Sequence, residues 1–209
     1  YTRSRYYHLY LNGVYWGVFE TQERSEARYA EAYFGGDKED YDVIKVDSGR
    51  TIDVEGVESN NRYNMVATDG NVDAWYRLWD VADAGFESDA NYYGVQGLNT
   101  DGTPDPEKEN LLDVINLIDY LLIIYYGGNL DSPVTRFGSN NVPNNVYTLI
   151  NRNSPDGFKT FVHDAEHTML IGNIHGFGDE LYTDRTGPFP AGRDRDFSNP
   201  QWIHQQLVA

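Results

Sequence analysis

LLDVINLIDYLLIIYYGGNLDS, residues Leu111–Ser132, is the stretch on which the fold turns. Its first part, Leu111–Tyr126, is the most apolar run in the chain, interrupted only by Asp113 and Asp119. That length predicts a helix of roughly 24 Å at about 1.5 Å per residue. A helix apolar on nearly all sides is expected to be buried in the middle of a domain. Gly127-Gly128 supplies its stop, and a lone acid, Asp131, follows. A polar loop then leads to two short apolar segments, Val146–Ile150 and Phe158–Val162, joined by the turn sequence Asn153–Gly157 (NSPDG). The second segment runs into HDAEH, His163–His167. A helix ending on one carboxylate and a hairpin ending on two more form the arrangement that the remaining chain is expected to support.

Upstream, Asn12-Gly13 separates YYHLYL from VYWGVFETQ, which predicts a β-hairpin over about 6–11 and 14–22 with a type I′ turn. Ala27, Ala30 and Phe34 fall at helical spacing before Gly35-Gly36. Residues 40–46 (DYDVIKV) read as a short strand in which Lys45 either snorkels outward or meets an anion. Trp75, Leu78, Trp79, Ala82 and Phe86 share one face of a helix over 73–86. Pro200 opens a last helix. Residues 47–72 and 87–108 lack periodicity and read as loops. Within the second, NTDGTPD (Asn99–Asp105) sets oxygen ligands around a glycine, so a Ca2+ loop and a plain Asp-Gly turn are the alternatives; the bidentate Glu of a calcium loop is missing. No repeat or linker breaks the chain, which predicts one domain over 1–209.

Composition bounds the function. A hydrophobic fraction of 40% is enough for a core. A net charge of −17 excludes nucleic acid as a natural partner, because phosphates would be repelled. The same acidity suits a salty extracellular medium or divalent cations. With no cysteine, disulfides, thiolate chemistry and Cys-based zinc sites are excluded. No stretch of ~18 charge-free apolar residues predicts a transmembrane segment. The chain opens without Met and in mid-pattern, which predicts a fragment of a longer protein.

The order of parts carries the chemistry. A helix, a lone Asp, an Asn, a β-hairpin and a further Asp follow one another as in the C-terminal lobe of protein kinases. Phosphoryl transfer needs cations on the triphosphate, hard oxygen ligands to hold them, and an acid beside the nucleophile. The HRD, DFG and GxGxxG sequences are absent. His163 and His167 beside Asp164 and Glu166 offer zinc as an alternative, without the HExxH spacing.

Several stretches together resemble the CotH (spore-coat protein H) kinase family: YHLYLNGVYWGVFETQER, GGDKEDYDVIKV, NLIDYLLIIYYGGNLDS, PNNVYTL and GFKTFVHDAEHTM. They are similar to its Asn-Gly hairpin with a downstream Glu, its strand ending in Lys, its GNxD, its NxY strand and its WDxD-type metal motif. The resemblance runs from about Tyr6 to Trp202. It implies an α+β, atypical protein kinase-like fold. A small, incomplete N-terminal lobe over about 1–46 would precede a larger, mainly helical lobe over about 73–209 that bears the active hairpin. It implies ATP with Mg2+ or Mn2+, or Ca2+, as cofactors. The partner would be a protein hydroxyl acceptor or a cell-surface protein, in a secreted or surface-associated setting. Carried over by motif, Asp131 is the acceptor-side acid and Lys45 the phosphate contact, braced by Glu23. Asn145, with Asn144 as the register alternative, Asp164 and Glu166 are the metal ligands. The chain departs from the pattern at His163-Asp164-Ala165-Glu166, where Trp-Asp-x-Asp is expected, and in the long Asp131–Asn145 interval. A non-catalytic surface or adhesion module of the same fold is the alternative function.

Overall fold

The structure, a computed structural model, describes residues 2–47, 53–54, 57–58, 64–129, 131–132, 135–136, 144–169 and 199–208. It opens with the expected hairpin, β1 (Ser4–Leu11) and β2 (Val14–Gln22), paired from Leu11↔Val14 to Ser4↔Gln22. Asn12 and Gly13 both take positive φ, 51° and 82°, as a type I′ turn requires. A bulge at Leu9/Tyr10 interrupts the ladder. Neither strand pairs with another described strand, and Tyr6, Tyr10, Val14 and Trp16 are each more than 60% exposed.

The organising sheet has four antiparallel strands: β3 (Tyr41–Asp47), β6 (Asn64–Asp69), β9 (Val146–Asn151) and β10 (Lys159–Val162), in the order β10-β9-β3-β6. The two-residue pairs β4 (Asp53–Val54) with β5 (Val57–Glu58), and β7 (Asp131–Ser132) with β8 (Thr135–Arg136), lie outside it. The sheet does not separate an N-terminal lobe from the rest. Strand β3, from the N-terminal portion, is hydrogen-bonded along β9 from the C-terminal portion.

Helix α1 (Ala27–Phe34) covers one face of this sheet. Its small residues Ala27 and Ala30 let the helix approach Tyr41, Val43, Tyr147, Leu149 and Phe161. Ile44, Met65, Val146 and Ile150 point to the other face, against α2 (Asp73–Asp83), α4 (Val114–Gly127) and α5 (Pro200–Leu207); α3 (Asp89–Gly94) lies between α2 and α4 in the chain. Alternation along β3 and β9 thus feeds two cores. Trp75 meets Phe158 edge-on at 5.2 Å, and Trp79 stacks on Trp202 at 5.9 Å. Each such fully buried side chain contributes about 1.5–3 kcal/mol.

Three expectations need correction. The helix begins at Val114, because the Asp113 carboxylate caps it by accepting from the Asn116 N–H at 2.9 Å. Leu111 and Leu112 precede it in extended chain, with Leu112 bridged to Phe158. Nor is α4 buried all round. Leu117, Tyr120, Leu121 and Ile124 face the core, while Ile115 (69% exposed), Leu122 (59%) and Tyr126 (81%) lie open among the described residues. One stripe of an all-apolar helix is enough to dock it, and no described element packs on the other. The segments read as loops contain β6 and α3. β6 alternates poorly yet pairs with β3, and Ser88 caps α3 by accepting from the Asn91 N–H. Within Asn99–Asp105, the Asp101 carboxylate accepts from the Thr103 N–H and hydroxyl at 2.9 and 2.6 Å, so the Asp-Gly turn consumes it.

Candidate functional site

The site lies where the β9–β10 ladder ends. Its last pair is Val146↔Val162, so Asn145 and His163 are the next residues on the two strands. Both strands leave the ladder through a strained polar residue. Asn145 and Asp164 each hold φ at 51°, a left-handed conformation that asparagine and aspartate tolerate best among the larger side chains. Such outliers cluster at functional positions.

Asp131 reaches this end from the opposite direction. Helix α4 stops because Gly128 takes φ 57°, and its N–H bonds back to the last turn. Asn129, 1% exposed, then turns the chain by accepting the Asp131 N–H on its side-chain oxygen at 2.9 Å, an Asx-turn. Asp131 is itself only 7% exposed, and a buried carboxylate needs donors. It has them. The Asn144 Nδ2 donates to Oδ1 at 2.6 Å, and the Asn145 Nδ2 donates to Oδ2 at 3.1 Å and to the Asp131 carbonyl at 3.0 Å. The two register alternatives for the motif asparagine therefore both act on Asp131. With its nitrogen committed there, the Asn145 amide oxygen is the atom that could face a cation.

The loop after β10 is tied to the same place. The Met169 N–H donates to the Gly127 carbonyl at 2.7 Å, and Thr168 closes a turn on the Ala165 carbonyl. Asp164 and Glu166 are both exposed. Burial and the nearby Asp164 carboxyl push the Glu166 pKa up, while its backbone and His167, 3.4 Å from the Glu166 carboxylate, oppose the shift. Two carboxyls crowded at a strand end are a natural seat for a hard divalent cation. Among the described residues no three His, Cys, Asp or Glu side chains gather into a metal cage. Mg2+ and Mn2+ do not require one. Mg2+ is typically held by one or two carboxylates, with phosphates and water completing its shell. The Asn145, Asp164 and Glu166 oxygens fit that mode.

Lys45 sits on β3 directly opposite Tyr147 of β9. It shares the α1 face of the sheet with Val43 and Tyr147, and its charge helps to hold down the pKa of His163. Burial is the larger cause of that depression, and the Arg24 charge adds to it against the opposing pull of Asp164. Glu23 lies elsewhere. Its carboxylate accepts from the Tyr33 hydroxyl at 2.7 Å and the Arg3 N–H at 3.0 Å, and no ion pair joins it to Lys45. These contacts lower the Glu23 pKa, the Tyr33 bond most. Arg24, the next residue, does reach the site. Its Nη2 donates to the Tyr147 hydroxyl at 3.3 Å. The sequence singled out Asp131, Lys45, Asn145, Asp164 and Glu166, and these lie at one end of the sheet. It overlooked Asn129 and Arg24, although the Asn-x-Asp spacing of an Asx-turn was visible in GGNLDS.

One end of the sheet thus gathers a clamped aspartate, an asparagine, a pair of carboxyls and a strand lysine. The chain belongs to the CotH kinase protein family, whose family model matches residues 1–201. Membership makes it a kinase-type protein, a transferase by class. No curated protein and no solved structure matches it. Among the described residues, no helix is long and apolar enough to cross a membrane.

Proposed function

We propose that this chain transfers the γ-phosphoryl group of ATP to a serine or threonine hydroxyl of a protein, outside the cell or at its surface. The observation that carries this reading is the hydrogen-bonded cluster of Asp131, Asn144 and Asn145 beside the strand end that bears Asp164, in a chain of this family. Each carboxylate oxygen of Asp131 accepts one amide and keeps further acceptor capacity. Asp131 would thus orient the acceptor hydroxyl and take its proton as the oxygen bonds to the γ-phosphorus and the bond to the β,γ-bridging oxygen breaks. Asn145, Asp164 and Glu166 would hold Mg2+ or Mn2+, which neutralises charge on the phosphate oxygens when bound. Lys45 would contact the phosphates. Glu23 ties the hairpin to α1 through the Tyr33 hydroxyl.

The test is thermal unfolding of the full chain with ATP and Mn2+, since a ligand that binds only the folded state raises the melting temperature. ATP with Mn2+ should raise it more than ATP alone, and Asp164→Asn should remove the metal-dependent part. An unshifted melting temperature in the wild type would favour a non-catalytic surface module.

A further inference from the structure

Arg24 was not singled out by any motif, yet two side-chain contacts set it at the site. Its guanidinium donates to the Tyr147 hydroxyl, and its Nε pairs with Glu26 at 3.3 Å. Tyr147 is 6% exposed on β9, with Lys45 as its partner on β3. The Tyr147 ring lies 4.6 Å from the ring of His163, the residue before Asp164. Arg24 from the β2–α1 connection and Lys45 from β3 therefore flank one buried ring on the side of the sheet that leads to the acids. Glu26 and Tyr147 hold the guanidinium from two directions, and its side chain keeps 60% exposure, open to a ligand. A fixed arginine with free N–H groups is suited to grip phosphate oxygens in pairs, where lysine acts as a point charge.

We propose that Arg24 is a second phosphate contact for the nucleotide, positioned by Tyr147 and Glu26. It would grip the polyphosphate beside Lys45, in place of the Glu23–Lys45 brace that the fold does not form. This rests on the kinase reading of the site and assigns a further residue to it. Arg24 and Lys45 would take phosphate oxygens, while Asp164 and Glu166, beyond His163, take the metal.

The experiment is calorimetric titration of the full-length chain, and of Arg24→Ala, Arg24→Lys and Tyr147→Phe, with Mn2+-ATP and with adenosine. Arg24→Ala should weaken Mn2+-ATP by about tenfold or more, the loss of one charge-assisted contact, and leave adenosine unchanged. Arg24→Lys should recover part of the loss. Tyr147→Phe, which frees the guanidinium without removing it, should fall between wild type and Arg24→Ala. Arg24 is exposed enough that circular dichroism and melting temperature should match the wild type. Wild type that binds ATP, with Arg24→Ala binding equally well, overturns the assignment of Arg24 alone. The same holds if Arg24→Ala loses ATP and adenosine alike. Wild type without affinity for Mn2+-ATP overturns the kinase reading and this assignment together.

Discussion

Asn145 performs two tasks that substitution separates. Its amide holds Asp131 through two contacts, and its backbone occupies φ 51°. Asn145→Gly removes the amide and keeps the backbone at ease. A buried carboxylate then loses a donor, which costs about 1.5–3 kcal/mol. Asn145→Ala adds a Cβ in the left-handed region, at about 1–2 kcal/mol more. Urea unfolding should therefore find Asn145→Gly destabilised by about 2 kcal/mol and Asn145→Ala by about 3–4 kcal/mol. The transfer rate separates the two roles from stability, because both variants lose the amide oxygen offered to the metal. Both should fall by a similar factor although one is the more stable. If Asn145→Ala is as stable as Asn145→Gly, the strain argument fails. If both keep wild-type stability, the clamp on Asp131 is not what the hydrogen bonds indicate.

Asp164→Asn keeps a side chain that accepts φ 51° and removes only the charge, so stability should change by less than about 0.5 kcal/mol while metal-dependent ATP binding is lost; calorimetry with and without Mn2+ checks this. Gly70→Ala should be strongly destabilising. Its Cβ would run into the Asp42 carboxylate and meet the Tyr41 carbonyl at 2.7 Å, in a backbone at φ 66°. It would split the Asp42–Arg152 ion pair, whose acid is 1% exposed, and breaking such a pair costs about 3–5 kcal/mol. Denaturant melts should show that loss. Glu23, whose pKa is lowered by Tyr33 and Arg3, adds stability that is full above its ordinary value of 4.5 and disappears as pH falls through the depressed one. Melting temperature against pH should then fall less steeply below 4.5 in Glu23→Gln than in wild type.

Much of this was legible in the chain. The Asn-Gly hairpin, the Trp-bearing helix α2, the Pro-capped α5 and the β9–β10 pair each carry a local signal, and each lies within a few residues of its expected bounds. What stayed hidden depends on distant partners. β6 is an unremarkable NMVATD until β3 supplies its hydrogen bonds. That β3 would lie along β9, joining residues more than a hundred positions apart, leaves no trace in local periodicity. Helix α4 shows the limit of composition. An all-apolar run declares a helix but not which side is covered. At the site, motif order singled out Asp131 and Asp164, and the structure sets both at the end of the β9–β10 ladder. Arg24 was not singled out, since its role comes from the hydroxyl of Tyr147, far away in the chain. Residues 137–143, in the long Asp131–Asn145 interval, and residues 170–198 lie outside the described structure.

The most direct measurement is transfer of label from γ-labelled ATP into protein serine or threonine by the full chain with Mn2+, run beside Asp131→Asn. Label incorporated by the wild type and reduced about a hundredfold or more by that single change is the outcome that Asp131's role predicts. Label that never appears, or that appears equally in both proteins, contradicts it.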